Sequence, residues 1–171
     1  TMIKASATGH RLDSIRRQGE SLTVEFKSDQ KSLPDRELVA AVVALANTEG
    51  GELFLGVEDD GKVTGLHANH RETAGMAALI ANRTNPPLSV RIEVLEGETG
   101  MQVARIRVSK SRHLVSTAEG LLQRRRLLAN GRPEAVPFYP HEFLQRQSAM
   151  GLADPSAVAM PFLSVEALNP L

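Results

Sequence analysis

Hydrophobic and polar residues follow two different periods along the chain. Leu22, Val24 and Phe26 alternate with polar neighbours, which is typical of a strand that buries one face. Leu38 and Val42 instead recur at helical spacing. Extended across the chain, these patterns predict strands over 22–26, 53–57, 63–66, 88–95, 101–108 and 121–128. They predict helices over 34–47 and about 72–83, and a short helix that begins near Pro140.

Turn-forming residues separate these elements. Asn47-Thr48-Glu49-Gly50-Gly51 ends the first helix, and the glycine pair lets a strand begin at once. Asp59-Asp60-Gly61 predicts a hairpin turn, while Asn85-Pro86-Pro87 ends the second helix. The resulting order predicts an α+β domain in which two main helices pack against a mixed or antiparallel sheet.

The 171 residues suffice for one domain with a tail. We predict a disordered or tag-derived segment over 1–14, because Thr1 precedes the first methionine, and a folded domain over 15–147. Residues 148–171 are rich in Pro, Ala and Ser, so we expect a linker to a further C-terminal region. The chain shows neither a signal peptide nor an apolar run of ~20 residues, so we expect a cytoplasmic protein without membrane contact.

The composition excludes several kinds of site. Cysteine is absent, which rules out disulfides, thiolate metal ligands and cysteine nucleophiles. His67 and His70 have near-helical spacing, but no further ligand completes a zinc set, so we interpret them as loop or core histidines. Aromatic residues are few, so a platform for base stacking is not expected.

Charge is balanced over the whole chain but not along it. Residues 104–132 hold eight Arg and Lys side chains against the single Glu119. Residues 49–60 hold five acidic side chains and no basic one. This asymmetry suits a site that holds an anion above an acidic centre, although charged loops alone would also produce it.

The segment Gly56–Lys62 has the spacing of a phosphate-binding P-loop up to its lysine. Its three carboxylates would repel phosphate, and Val63 replaces the hydroxyl residue that ligates Mg²⁺ in such loops. We therefore interpret the segment as a hairpin turn and do not expect ATP to bind through it.

Two carboxylates lie close together around the first strand. Glu25 and Lys27 share the strand face opposite the apolar residues, and Glu20 precedes the strand. With Asp59 as a third carboxylate, Glu20 and Glu25 could bind Mg²⁺ or Mn²⁺ for phosphodiester cleavage, while Lys27 neutralises transition-state charge. The alternative is an exposed face whose charges are solvated or paired across strands.

Three blocks of sequence resemble the schlafen AlbA_2 domain, formerly called a divergent AAA domain. They are Glu20-Ser21 with Val24-Glu25-Phe26-Lys27, then Ala46–Gly51, then Gly56–Gly61 with Val63-Thr64-Gly65. A later stretch, from Arg124-Arg125-Arg126 to Pro137-Phe138, is similar to the closing strand and arginine-glycine turn of that family. The resemblance covers roughly residues 15–147.

The resemblance implies two functions. Bacterial and archaeal members are mostly described as transcriptional regulators or nucleic-acid-binding proteins. Animal schlafens cleave structured RNA at a three-carboxylate site, whose acidic positions match Glu20, Glu25 and Asp59 here. Because the schlafen core joins two related halves and one is present in this chain, a groove would need a homodimer.

The arginine-rich stretch is the candidate nucleic-acid surface. In a strand, Arg125 points opposite to its two neighbours, so only alternate side chains of the triplet face one ligand. We expect the phosphate contacts to come from four arginines, Arg105, Arg107, Arg124 and Arg126. The alternative is one exposed face with an arginine paired to an acidic residue across the sheet.

Three hypotheses follow for function. The first is a nucleic-acid-binding N-terminal domain of a transcriptional regulator, which binds DNA or structured RNA and forms a homodimer. The second is a metal-dependent endonuclease that uses Glu20, Glu25, Asp59 and Lys27. The third is a protein-interaction or dimerisation module.

Overall fold

The computed structural model describes residues 2–139, 141–142, 144–146 and 148. The helices are α1 (Met2–Gln18), α2 (Asp35–Ala46) and α3 (Ala74–Asn82), with a 3₁₀ turn at Ala68–His70. The strands are β1 (Val24–Lys27), β2 (Gly51–Leu55), β3 (Thr84–Asn85), β4 (Arg91–Glu96), β5 (Gln102–Val108), β6 (Ser116–Thr117), β7 (Gln123–Leu127) and β8 (Pro133–Pro137).

A four-stranded mixed sheet organises the domain. Its strand order is β1-β2-β5-β4, with β1 parallel to β2 and the other neighbours antiparallel. Two small antiparallel pairs, β3-β6 and β7-β8, lie outside this sheet. The predicted α+β fold with a mixed sheet is confirmed.

The larger core lies between the sheet and helices α2 and α3. Leu38 and Leu45 of α2 and Ile80 of α3 pack there against Leu53 and Ile106 of the sheet. Each of these five side chains is almost completely buried. Both helices therefore stabilise the domain by removing an apolar stripe from water.

Helix α1 covers the opposite face of the sheet, whereas the polar sequence over 1–19 indicated at most one short helix. Leu12 is 1% exposed and packs with Phe26, Phe54 and Val103. The prediction of a disordered 1–14 segment therefore differs from the structure, in which a helix spans Met2–Gln18. The cause is tertiary, because this polar helix has few apolar residues and gains stability from burying them against the sheet.

The turn between α2 and β2 depends on its glycines. Gly50 and Gly51 have φ angles of 71° and 141°, which favour glycine. A Cβ atom on Gly51 would lie 2.1 Å from the carbonyl oxygen of Thr23, so no larger residue fits at this position. The expected abrupt change from helix to strand is confirmed.

The predicted turn after β2 is confirmed, but the strand predicted over 63–66 is reduced to an isolated bridge at Val63. Val57 and Val63 form an antiparallel bridge, and the N–H of Glu58 donates to the carbonyl of Lys62 at 2.8 Å. The N–H groups of Gly61 and Lys62 also have partners within the turn. These donors are therefore bonded inside the hairpin instead of forming a phosphate cradle.

The periodic pattern did not predict the shortest strands. β3 and β6 have two residues each, too few for a hydrophobic period to show. The prediction of a helix from Pro140 falls partly outside the described residues, which exclude 140 and 143. Residues 141–142, 144–146 and 148 are helical. Within the described part of the chain, no helix is long and apolar enough to cross a membrane.

Candidate nucleic-acid interface

Arg125 lies at the centre of the contacts that attach the β7-β8 hairpin to the rest of the domain. Its side chain is only 2% exposed and forms an ion pair with Glu25. Its guanidinium also donates to the carbonyl oxygens of Leu22 at 2.9 Å, Ser21 at 2.6 Å and Val24 at 3.2 Å. One arginine of the triplet thus pairs with an acidic residue, but this residue lies in the four-stranded sheet and not across the β7-β8 pair as the alternative supposed.

The end of α2 holds the same strand from the other side. Thr48 Oγ1 accepts the backbone N–H of Arg125 at 2.8 Å. The buried Asn47 side chain donates to the carbonyls of Val115 and Gln123 at 2.7 and 2.9 Å. Residues in two of the blocks that carry the family resemblance thus bind the arginine strand and its neighbours.

Glu25, the central predicted metal ligand, is already occupied by cations. Besides Arg125, it contacts the Lys27 ammonium at 3.4 Å. Lys27 therefore neutralises a carboxylate of its own strand in this structure. A divalent cation at Glu25 would have to approach the Arg125 guanidinium, which repels it.

Glu20 stands close enough to the other two carboxylates to feel their charge. Burial raises the pKa of Glu20, and the negative charges of Glu25 and Asp59 raise it further. A hydrogen bond from the backbone N–H of Phe26 to Glu20 Oε1, at 2.9 Å, opposes this rise. The structure therefore brings the three predicted carboxylates into one region.

These carboxylates do not form a metal site as they stand. Among the residues that the structure describes, no group of three or more His, Asp or Glu side chains has the arrangement of metal ligands. One oxygen of Glu20 accepts the Phe26 N–H, and Glu25 is bound to Arg125. The residues present thus do not fit Mg²⁺ or Mn²⁺ in this arrangement.

Arg105 and Arg107 share the face of β5 that is directed to the α1 side of the sheet, but their environments differ. Arg105 is 4% exposed, and its side chain is paired with Glu52. The prediction that Arg105 contacts nucleic acid therefore disagrees with the structure, because the guanidinium is buried and neutralised. Arg107 is 42% exposed and pairs with Glu93 at 3.2 Å.

Arg124 and Arg126 flank Arg125 and point away from it. Arg124 forms a two-point ion pair with Glu142, and its hydrogen bond to that residue holds the Glu142 pKa below its usual range. Arg124 is therefore neutralised in this structure, and its predicted phosphate contact would have to displace Glu142. Arg126 is 45% exposed and pairs at 2.6 Å with Glu134, which is itself partly exposed.

The tip of the β7-β8 hairpin is open to solvent. All seven residues from Arg126 to Arg132 are exposed, including Leu127 at 52% and Leu128 at 37%. The tip closes on itself through a 2.8 Å bond from the Leu128 N–H to the Arg132 carbonyl. Within the described residues, Arg132 has no acidic side chain within ion-pair distance.

Comparison with known proteins agrees with this architecture. A family profile described as "Schlafen, AlbA_2" matches residues 20–129, which is more than half of the chain. The chain belongs to the Schlafen AlbA_2 family. This confirms the resemblance drawn from the sequence blocks.

Solved structures place the fold of this AlbA_2 domain among known ones. The DIP2311 protein from Corynebacterium diphtheriae matches at a TM-score of 0.63 with 18% identity, over 86% of this chain and 33% of that one. This chain thus corresponds to about a third of that protein. The N-terminal domain of a RecG-related protein from Nitrosomonas europaea matches at 0.47 with 23% identity, over 61% of this chain and 73% of that one.

Most of the basic charge concentrated in residues 104–132 is neutralised by carboxylates of the same AlbA_2 domain. Six of the eight basic residues in 104–132 form ion pairs with carboxylates: Arg105, Arg107, Lys110, Arg124, Arg125 and Arg126. Two of these pairs, Arg105 with Glu52 and Lys110 with Glu49, join the basic stretch to the acidic one. The uneven distribution along the chain therefore serves mainly to join distant segments.

Asp29 is a buried acid of the AlbA_2 domain that the sequence analysis missed. It is 0% exposed and accepts the N–H groups of Leu33 at 2.8 Å and His67 at 2.7 Å. His70 Nδ1 lies 2.9 Å from both of its carboxylate oxygens. The interpretation of His70 as a structural histidine agrees with this contact, but nothing in the local pattern indicates Asp29 as its partner.

Proposed function

We propose that this AlbA_2 domain binds nucleic acid through the exposed tip of its β7-β8 hairpin. The observation that carries the proposal is the run from Arg126 to Arg132, which projects two arginines into solvent beside an Asn and two leucines. Family membership adds weight, since the resemblance implies DNA or structured RNA as partner.

The tip has the chemistry that phosphate contacts require. Arg132 has no ion-pair partner among the described residues, so its positive charge is free to attract a phosphate. Arg126 is held only by an exposed pair, which contributes little stability and exchanges readily for a phosphate. Arg107 has a similar half-exposed pair with Glu93 and is a third, weaker candidate.

The proposal extends to the role of the whole protein. We infer that the domain positions a transcriptional regulator on its nucleic acid, as the sequence resemblance implies. Salt-dependent phosphate contacts would provide affinity, and base contacts from the tip would provide any sequence preference.

The test is fluorescence polarisation with a labelled DNA duplex and a labelled structured RNA, each at low and high salt. We expect affinity to fall steeply with salt in the wild type. Arg132→Ala and Arg126→Ala should each weaken binding and reduce the salt slope by about one. Arg36→Ala is the matched control, because Arg36 is 75% exposed at the start of α2, outside the hairpin. Equal affinity of all four proteins would overturn the assignment to the tip.

The endonuclease hypothesis is tested with the same samples. After incubation with and without Mn²⁺, the nucleic acids are separated on a denaturing gel. We expect intact nucleic acid, because Glu25 is bound to Arg125 and Lys27. Mn²⁺-dependent fragments that disappear in Asp59→Asn would establish cleavage instead. Absence of both binding and cleavage would favour the protein-interaction module.

A further inference from the structure

The two edge strands of the central sheet differ in whether their outward backbone groups have hydrogen-bond partners. At the β1 edge, Glu20 accepts the outward N–H of Phe26, and Ser21 exchanges backbone bonds with Val24. Arg125 also donates to the Val24 carbonyl. The N–H and carbonyl of Val24 and the N–H of Phe26 therefore have partners within the chain, which hinders another strand from pairing there.

The β4 edge has no such cover in the described part of the chain. The N–H groups of Glu52 and Gly56 donate to the carbonyls of Thr23 and Lys27, so even-numbered residues of β2 face β1. The direction of the backbone N–H and C=O groups alternates from one residue to the next along each strand. When this alternation is followed from β2 through β5 to β4, the backbone groups of Ile92, Val94 and Glu96 point away from the sheet. No hydrogen bond to these outward groups is found among residues 2–139.

The side chains of this edge leave one charge uncompensated. Arg91 is exposed and lies directly opposite Arg107 of β5, a like-charge neighbour. Glu93 binds Arg107 at 3.2 Å and lies 3.9 Å from Arg105. Arg91 itself has no carboxylate within ion-pair distance among the described residues. Val94, on the other face of the edge, is an apolar side chain that is two-fifths exposed.

We propose that β4 pairs with β4 of a second copy of this chain, antiparallel and about a two-fold axis through Glu93. In this register Ile92 of each copy lies opposite Val94 of the other. The two apolar side chains cover each other, and the backbone N–H and C=O groups of the two residues form hydrogen bonds between the copies. Arg91 becomes the diagonal neighbour of Glu93 of the second copy. The two Glu93 carboxylates meet at the axis, each between Arg107 of its own chain and Arg91 of the other.

Two alternative registers satisfy the edge less well. An axis through Val94 would place Ile92 opposite the Glu96 carboxylate and Arg91 opposite Gly97, leaving the arginine unpaired. An axis through Leu95 would place Val94 opposite Glu96. The contact is small compared with the ~800 Å² per partner of a standard interface, so the dimer should be reversible.

Arg91→Glu gives a sharp test, measured by sedimentation of the full chain over its whole soluble concentration range. We expect the wild type to pass from monomer to dimer as its concentration rises, and less readily at high salt. In Arg91→Glu, the new carboxylate faces Arg107 of its own chain, so the fold should keep its thermal stability. It also repels Glu93 of the second copy, so the dimer should be lost. Arg132→Glu, an equal charge change at the hairpin tip, should dimerise like the wild type.

Single cysteines test the register, because the chain contains no other cysteine. Under mild oxidation, Glu93→Cys should form a disulfide-linked dimer, since residues opposite each other at the axis fall within the ~4.4–6.8 Å Cα separation that disulfides require. Val94→Cys should not, because the offset places its two copies beyond this range. A wild type that stays monomeric throughout, an Arg91→Glu protein that dimerises normally, or preferential crosslinking at Val94→Cys would each overturn the proposal.

Discussion

Arg125 and Arg126 are adjacent in β7, yet we expect their removal to have opposite consequences. Arg125 is buried against Glu25, whereas Arg126 is exposed beside Glu134. If this difference is correct, Arg125→Ala destabilises the fold and Arg126→Ala weakens nucleic-acid binding without destabilising it.

The magnitude for Arg125→Ala follows from its contacts. Breaking a buried ion pair costs about 3–5 kcal/mol, and the 14% exposure of Glu25 favours the lower end. The Leu22 carbonyl also loses the only hydrogen-bond donor found for it in the described residues, which adds about 1 kcal/mol. The carbonyls of Ser21 and Val24 keep backbone partners and add little. We therefore expect a loss of about 4 kcal/mol from a total of about 5–15 kcal/mol.

Urea denaturation measures this difference directly. With an m-value of about 1–3 kcal/mol/M, Arg125→Ala should lower the midpoint by about 1–4 M. Arg126→Ala removes an exposed pair and should change the free energy of unfolding by at most about 1 kcal/mol. The double variant Glu25→Gln with Arg125→Met should lose less stability than either single change, because no unpaired charge remains buried.

A stabilising role of Arg125 is refuted if Arg125→Ala and Arg126→Ala unfold at the same urea concentration. Its coupling with Glu25 is refuted if the effects of Glu25→Gln and Arg125→Met simply add, since residues in contact must show a coupling energy in a double-mutant cycle. Far-UV circular dichroism at low urea confirms that each variant is folded before the comparison.

Three further predictions concern other parts of the domain. Leu12→Ala should lower the free energy of unfolding by about 2–5 kcal/mol in urea denaturation, because Leu12 is 1% exposed in the core beneath α1; an unchanged midpoint would show that α1 does not contribute. Glu20→Gln should raise the melting temperature at neutral pH. The raised pKa of Glu20 means that its ionised form costs stability as pH rises through that pKa, so the gain should vanish in acid, where Glu20 is protonated anyway; equal gains at both pH values would contradict this sign. Asp29→Asn should cost about 1.5–3 kcal/mol in urea denaturation, because an amide has one acceptor oxygen for the three donors that Asp29 now holds; a neutral result would mean that these contacts carry no net stability.

The ends of elements followed local chemistry and could be predicted. The helix predicted over 34–47 is observed as Asp35–Ala46, and the strand predicted over 101–108 as Gln102–Val108. The hairpin at Val57–Val63 was predicted from its Asp-Asp-Gly turn. Periodicity works here because each element has one face in the core, and turn residues report the backbone angles they must adopt.

The candidate site was predicted only in part. The sequence brought Glu20, Glu25 and Asp59 into one hypothesis, and the structure places them in one region. It could not show that Arg125, a hundred residues from Glu25 in sequence, binds that carboxylate. It also could not separate Arg105, which is buried, from Arg107, which is half exposed, because both share one face of β5.

The sequence by itself therefore determined the family, the α+β class and most elements, since these depend on local periodicity, turn residues and contiguous motifs. Only the tertiary structure decided which charges are available. An ion pair depends on the distance between side chains in space, and several arginines here pair with carboxylates from remote segments, such as Arg105 with Glu52 and Arg125 with Glu25. The same reason explains α1, whose few apolar residues become a buried face only when the sheet is present to cover them.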